Sequence, residues 1–129
     1  LALQHPVRVV GVVSSHATTY ADSLAAGHVV EAPVTTQLAD GMACRVADAE
    51  ALAVMAPHID HIVQVSDDEV AAAMRAIFTD THNVAEGAGA AALAAALQER
   101  DALQGQNVGL ALTGGNVDAP MFANTLAKH

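Results

Sequence analysis

Val108-Gly109-Leu110-Ala111-Leu112-Thr113-Gly114-Gly115-Asn116-Val117-Asp118-Ala119-Pro120 is the stretch that decides the fold class. A short apolar run without polar alternation is the pattern of a strand buried on both faces, as in a parallel sheet covered by helices. It stops at a hydroxyl, two glycines and an amide. Open parallel sheets bind ligands beyond the carboxyl ends of their strands, which puts Thr113 where a ligand is read. Gly114 and Gly115 let the backbone approach another group closely or turn at positive φ. Asp118 then caps a new helix, with Pro120 tolerated in its first turn. Taken alone, the same residues also describe an ordinary strand-to-helix turn. A ligand edge requires other segments to converge on it.

Working outward, strands and helices alternate. Val7-Arg8-Val9-Val10-Gly11-Val12-Val13 reads as a strand closed by Ser14 and Ser15. Residues 18–26 form a short helix ended by Gly27. A loop over residues 28–46 carries Pro33 and the Asp40-Gly41 turn signal. Asp48 caps a helix running to Ala56 and stopped by Pro57, and His61-Ile62-Val63-Gln64-Val65 is a second strand. Ser66-Asp67-Asp68-Glu69 is a capping box, in which the serine bonds the N3 amide and the glutamate returns to the cap. The helix it opens places Val70, Met74, Ile77 and Phe78 on one face, which is core spacing. Gly87 and Gly89 precede a helix over residues 90–97, whose alanines favour helix and permit close packing on the sheet. A last helix covers residues 119–127. This alternation predicts an α/β fold, a partial three-layer parallel sheet with flanking helices. Three strands make a thin sheet with an exposed edge, which a longer parent chain or a partner subunit would cover.

At 129 residues the chain has room for one core, so residues 1–129 read as a single partial domain. It opens on Leu1 and passes through Gln4-His5-Pro6 straight into a strand, as part of something longer would. Hydrophobic residues make up 53% and charged residues 15%, which supports a folded globule over a disordered one. Aromatic residues are 2% with no Trp, too few to stack bases or sugars. The net charge of −9 disfavours nucleic acid and anionic membranes as partners. Cys44 is the only cysteine, so no intrachain disulfide forms and a cytoplasmic home is expected. No apolar stretch approaches a membrane span, and no signal peptide is visible. Of the seven histidines, His58 and His61 are three apart, but Pro57 and the approaching strand deny them a shared helical face. His16, His28 and His82 have no companion ligands in the sequence, so no metal site is expected.

Three polar clusters stand out. They are Thr35-Thr36-Gln37-Leu38-Ala39-Asp40-Gly41-Met42-Ala43-Cys44-Arg45, Val84-Ala85-Glu86-Gly87-Ala88-Gly89-Ala90-Ala91-Ala92-Leu93 and Leu112-Thr113-Gly114-Gly115-Asn116-Val117-Asp118. In this order and spacing they resemble the carboxyl-terminal half of the serine/threonine dehydratases. These are pyridoxal-phosphate enzymes of fold type II, with serine racemase a close relative. The resemblance covers nearly all of this chain and less than half of a complete member. It implies a fragment of the fold type II large domain, from a parent that uses pyridoxal phosphate. That parent would convert L-threonine or L-serine into a 2-oxo acid and ammonia. It would work as a homo-oligomer, or by association of this chain with the missing upstream half.

The same resemblance assigns residues. Thr113 stands where the family places a hydroxyl, often serine, against the pyridine nitrogen of the cofactor. A hydroxyl leaves that nitrogen unprotonated and so favours β-elimination over transamination. Glu86 matches an acid beside the cofactor, and Gly114 lies on the cofactor side with it; by itself Glu86 is also a carboxylate well placed at a helix N-terminus. Asp40 and Gly41 match the loop on the substrate side, and Cys44 the place of a substrate-facing serine. From the residues alone, Asp40-Gly41 is a turn and Cys44 a small buried core residue. Asn116 matches a position that helps bind a nucleotide effector in the racemase branch, a poor transfer.

Two departures matter. Relatives hold a divalent cation with a glutamate and an aspartate where this chain has Val13 and Thr19, leaving only a backbone carbonyl near Ala17, so that site is expected to be lost. The family's Schiff-base lysine, glycine-rich phosphate cradle and substrate-carboxylate loop all precede the matched region. Lys128 is the single lysine here and stands in no matching context. The chain alone is therefore expected to be inert and not to retain the cofactor. Other readings share the motifs: a fragment of a serine racemase or of a hydroxyaspartate dehydratase. A non-catalytic half-domain acting by association is a reading of another class. A Rossmann nucleotide module is not supported, because the Gly11 strand runs into Ser14-Ser15 and lacks a glycine-rich turn and an acidic ribose partner.

Overall fold

Two runs of β-branched residues become strands, Val9–Ser14 (β1) and Ile59–Val65 (β2), and pair in parallel with Val10 opposite His61 and Ser14 opposite Val65. The structure, a computed structural model, describes residues 7–127. Gln4, His5, Pro6 and Lys128 lie outside the described residues. Between and after the strands come α1 (Thr19–Ala26), a 3-10 turn (Asp40–Met42), α2 (Ala49–Met55), α3 (Asp67–Thr81), α4 (Gly87–Gln98) and α5 (Ala119–Ala127). The result is an α/β fold with a small parallel sheet and flanking helices, as the alternation predicts. No helix among the described residues is long and apolar enough to cross a membrane.

Local sequence explains most boundaries. Gly27 closes α1 at φ 72°, a left-handed turn that costs a glycine nothing. The Asp48 side chain accepts from the Ala51 amide and starts α2. The capping box of α3 is complete, with the Ser66 hydroxyl accepting from the Glu69 amide and Glu69 accepting from the Ser66 amide at 2.7 Å. That bond to the Ser66 amide is the main reason the Glu69 carboxyl sits below its ordinary pKa.

The core lies where β2, α3 and α4 meet. Val63 and Val65 face Val70, Met74 and Ile77 of α3 across the alanines of α4, and Val10 and Val12 of β1 pack at the margin. Alanine at positions 90, 91, 94 and 95 keeps α4 thin enough to lie between sheet and α3. Phe78 reaches α5 instead, meeting Phe122 edge to face with ring centres 5.4 Å apart.

Two expectations are corrected. The run over residues 108–112 is not a strand: it has no ladder, and Val108, Leu110 and Leu112 are nearly half exposed. An apolar sequence supplies the side chains of a buried strand, but the strand itself needs a neighbour for its backbone hydrogen bonds. Among the described residues β1 and β2 have only each other. Second, Gly87 and Gly89 do not precede α4 but form its first turn, with Glu86 at the N-cap.

The sheet and α4 are also joined by charge. His61 on β2 places Nδ1 2.8 Å from Asp60 and Nε2 2.7 Å from Glu99, the residue that ends α4. The hydrogen bond with Asp60, followed by that with Glu99, raises the His61 pKa above its ordinary value of 6.5. The charged imidazole is thus favoured by folding. Its contribution is fully present below about pH 6.5 and is lost as pH rises through the higher folded-state value. With the His61 side chain 38% exposed, water and salt screen the pairs, so we expect a loss within about 1 kcal/mol. Unfolding midpoints of the chain should fall between pH 6 and pH 8.5 more than those of His61→Gln. Parallel curves would mean that the pairs contribute nothing.

Candidate functional site

The first turn of α4 is the point of convergence. Glu86 precedes it in extended conformation and makes no capping bond with its side chain. Its backbone amide instead donates to the Gly114 carbonyl at 3.0 Å. A Cβ added to Gly114 would stand 2.6 Å from Glu86 Oε1, so the carboxylate lies directly over a backbone that has no side chain. On the other side comes the 3-10 turn. A Cβ on Gly41 would stand 2.9 Å from the Ala88 methyl and 3.7 Å from the same Glu86 oxygen.

Further glycines bring the backbones together. The Leu38 carbonyl occupies the space of a side chain at Gly87, and the Gly114 carbonyl that of one at Gly89. Gly115 packs against the Val84 carbonyl in the same way. Close approach, rather than positive φ, is what Gly114 and Gly115 are used for: the positive-φ glycines among the described residues are Gly27 and Gly105. The two loops thus clamp the N-terminus of α4, where its unpaired amides favour the Glu86 carboxylate.

The expected site residues divide into two groups. Gly41, Glu86 and Gly114 come together, with Asp40 and Thr113 exposed on the residues before Gly41 and Gly114. Cys44 is at the far end of the same loop and exposed, not the buried core residue its type suggests. Its carbonyl accepts from the buried Thr19 hydroxyl at 2.7 Å, which ties the loop to α1. Thr19 therefore serves as a tether. Asn116 is exposed. Among the described residues no group of three or more His, Cys, Asp or Glu side chains could hold a metal ion. At His61 the two carboxylates sit on opposite ring nitrogens and cannot converge on one ion.

Sequence reasoning gave Thr36 no role beyond its place in the first polar cluster and Asp67 none beyond the capping box, yet these hold the loop from outside. The Thr36 hydroxyl donates to Asp67 at 2.6 Å, and the Gln37 amide donates to the other Asp67 oxygen at 2.8 Å. The partners are about thirty residues apart, and no local spacing rule announces such a contact. An open groove of about 980 Å³ runs beside this anchor, between Gln37, Asp67 and Arg75 on one side and Pro120 and Met121 on the other. Glu86 and Thr113 do not line it.

An exposed hydroxyl, a carboxylate and two stretches of backbone without side chains fit one edge of a flat, heteroaromatic cofactor. They do not supply an amine to bond it: the single lysine, Lys128, is outside the described residues. Comparison with known proteins places the chain in a family. Residues 1–114 match the family model described as pyridoxal-phosphate dependent enzyme. The chain is 39% identical over 116 residues to an L-threonine ammonia-lyase of Geobacter sulfurreducens, covering 88% of this chain and 29% of that protein. The fold superposes on a T.th. threonine deaminase with a TM-score of 0.80 and 34% identity, covering 91% of this chain and 39% of that one. Maize serine racemase gives a TM-score of 0.80 at 26% identity, with 93% and 39% covered. The chain thus spans between 29% and 39% of the length of these proteins. With most of its length matched by one family model, the chain belongs to the pyridoxal-phosphate dependent enzyme family.

Proposed function

We propose that this chain is the carboxyl-terminal part of a pyridoxal-phosphate-dependent ammonia-lyase acting on L-threonine or L-serine, and that its 129 residues make one partial domain of that enzyme. The observation that carries this reading is the meeting of Gly41, Glu86 and Gly114 around one carboxylate, in a chain whose relatives include an L-threonine ammonia-lyase. The exposed, unpaired run over residues 108–112 supports the partial domain, since it is suited to a sheet completed by other chain.

Thr113, Glu86 and Gly114 would hold the cofactor edge. The Thr113 hydroxyl would hydrogen-bond the ring nitrogen and leave it uncharged. The Glu86 carboxylate would border the ring, held in place by the first turn of α4. The bare backbone at Gly41 and Gly114 leaves room for a planar group against it. Asp40, Gly41 and Cys44 would line the substrate side. Bound pyridoxal phosphate supplies the electron sink that lets an amino acid lose its α-proton. The amine that takes this proton would come from the remainder of the enzyme or a partner subunit, since no lysine is among the described residues.

The isolated chain, mixed with pyridoxal phosphate and L-threonine or L-serine, is therefore expected to release no ammonia. Adding the lysine-bearing portion of a related threonine ammonia-lyase should restore release. Ammonia from the chain alone would overturn the need for an outside amine and turn attention to Lys128. A complex that forms but stays silent would favour the non-catalytic association. A serine racemase parent is the second reading, supported by the likeness to maize serine racemase, and it predicts D-serine in the same mixture.

A further inference from the structure

We propose that Asp67 is a positioning residue for the loop over residues 36–41, acting through Thr36 to set where Asp40 and Gly41 stand against Glu86. The functional half of this inference rests on the reading that the loop faces the substrate.

Asp67 opens α3, but the capping box there uses Ser66 and Glu69 and leaves the Asp67 carboxylate free for other work. An acid in a first turn gains from the helix dipole while pointing into water. This one points at the loop instead. One oxygen accepts the Thr36 hydroxyl at 2.6 Å and the other the Gln37 amide at 2.8 Å, the short distances of charge-assisted bonds. Thr36 passes the constraint on, since its oxygen accepts the Ala39 amide at 3.0 Å. Ala39 is fully buried, and the neighbouring Leu38 carbonyl lies against Gly87. Asp40 and Gly41 follow at once, with Gly41 against Ala88 and the Glu86 carboxylate. This part of the loop has no ladder of its own, so these side-chain bonds take the place of one. Asp67 grips one end of the loop and the glycine turn of α4 receives the other.

Amide hydrogen exchange on the 129-residue chain tests the placement. In Asp67→Ala, exchange at Gln37 and Ala39 should quicken by about tenfold or more, the loss of a hydrogen bond to a charged group. The amides of α3 should stay protected, because Ser66 and Glu69 are intact. Thr36→Val should free Ala39 and leave Gln37 protected, while Thr36→Ser should keep both protected. Unchanged exchange at Gln37 in a folded Asp67→Ala chain would overturn the proposal. Should that variant fail to fold, the split between Gln37 and Ala39 in Thr36→Val decides it, and joint loss or joint retention of protection counts against it.

The functional half is read in the mixture with the lysine-bearing portion. Asp67→Asn should raise KM for L-threonine about tenfold with kcat changed far less, since it shifts where substrate is held rather than the group that reacts. Faster exchange with KM unmoved would mean that the loop is anchored by Asp67 but does not face substrate. If even the unaltered chain releases no ammonia in that mixture, the lyase reading fails. The exchange pattern still decides the role of Asp67 on the loop.

Discussion

Replacing Met74 by alanine should lower the stability of the chain by about 3 kcal/mol. Met74 is the largest fully buried side chain in the fold, with none of its surface exposed. It lies on α3 in one cluster with Val70, Ile77 and the alanines of α4, whose methyl groups are too short to swing into the space. Loss of its apolar contacts and an unfilled cavity therefore add. Denaturant unfolding should show a lower midpoint with an unchanged slope, the sign that stability and not compactness has altered. A midpoint within experimental error of the parent chain would mean that α3 and α4 are not packed as described.

Gly87→Ala is the second large effect, and it sets two terms against each other. Alanine gains up to about 1 kcal/mol over glycine inside a helix, less at the first helical position. Against this, the new methyl would coincide with the Leu38 carbonyl, with the Leu38 carbonyl carbon 2.7 Å away. Overpacking costs about 1–3 kcal/mol, and here the obstacle is backbone that cannot rotate aside. The steric term wins, and a net loss of about 2 kcal/mol is expected. Gly109→Ala is the control, since a Cβ there meets nothing within 4 Å and should change stability by less than about 0.5 kcal/mol. If Gly87→Ala unfolds at or above the parent midpoint, the loop and α4 are not in contact, and the convergence at Glu86 goes with it.

Much of the architecture is legible in short range. Ser66 and Glu69 are three residues apart, Gly27 follows an apolar run, and Asp48 precedes another, so these three helix ends are announced by residues that touch them. The faces of α3 are legible for the same reason: Val70, Met74 and Ile77 recur at helical spacing and are buried. The run over residues 108–112 shows the limit. Its composition specifies a side-chain environment, whereas strand formation depends on a backbone partner that the composition does not contain. The candidate site divides along the same line. Asp40, Gly41, Glu86, Thr113 and Gly114 were visible as polar or glycine-rich breaks in apolar sequence and through their family resemblance. Thr36 and Asp67 were not, because a hydroxyl in a loop and an acid in a first turn each have an ordinary local use.

By itself the sequence determined the α/β class, the end of α1 and the starts of α2 and α3, the apolar face of α3, the single cysteine and the acidic charge of this protein. All of these follow from interactions within a few residues or from composition. Only the tertiary structure decided that Gly41 and Gly114 meet at one carboxylate, that Thr19 ties the Cys44 carbonyl, and that Asp67 holds Thr36. Those contacts join residues 25 to 45 positions apart, and their geometry depends on how the helices pack, which no local pattern encodes.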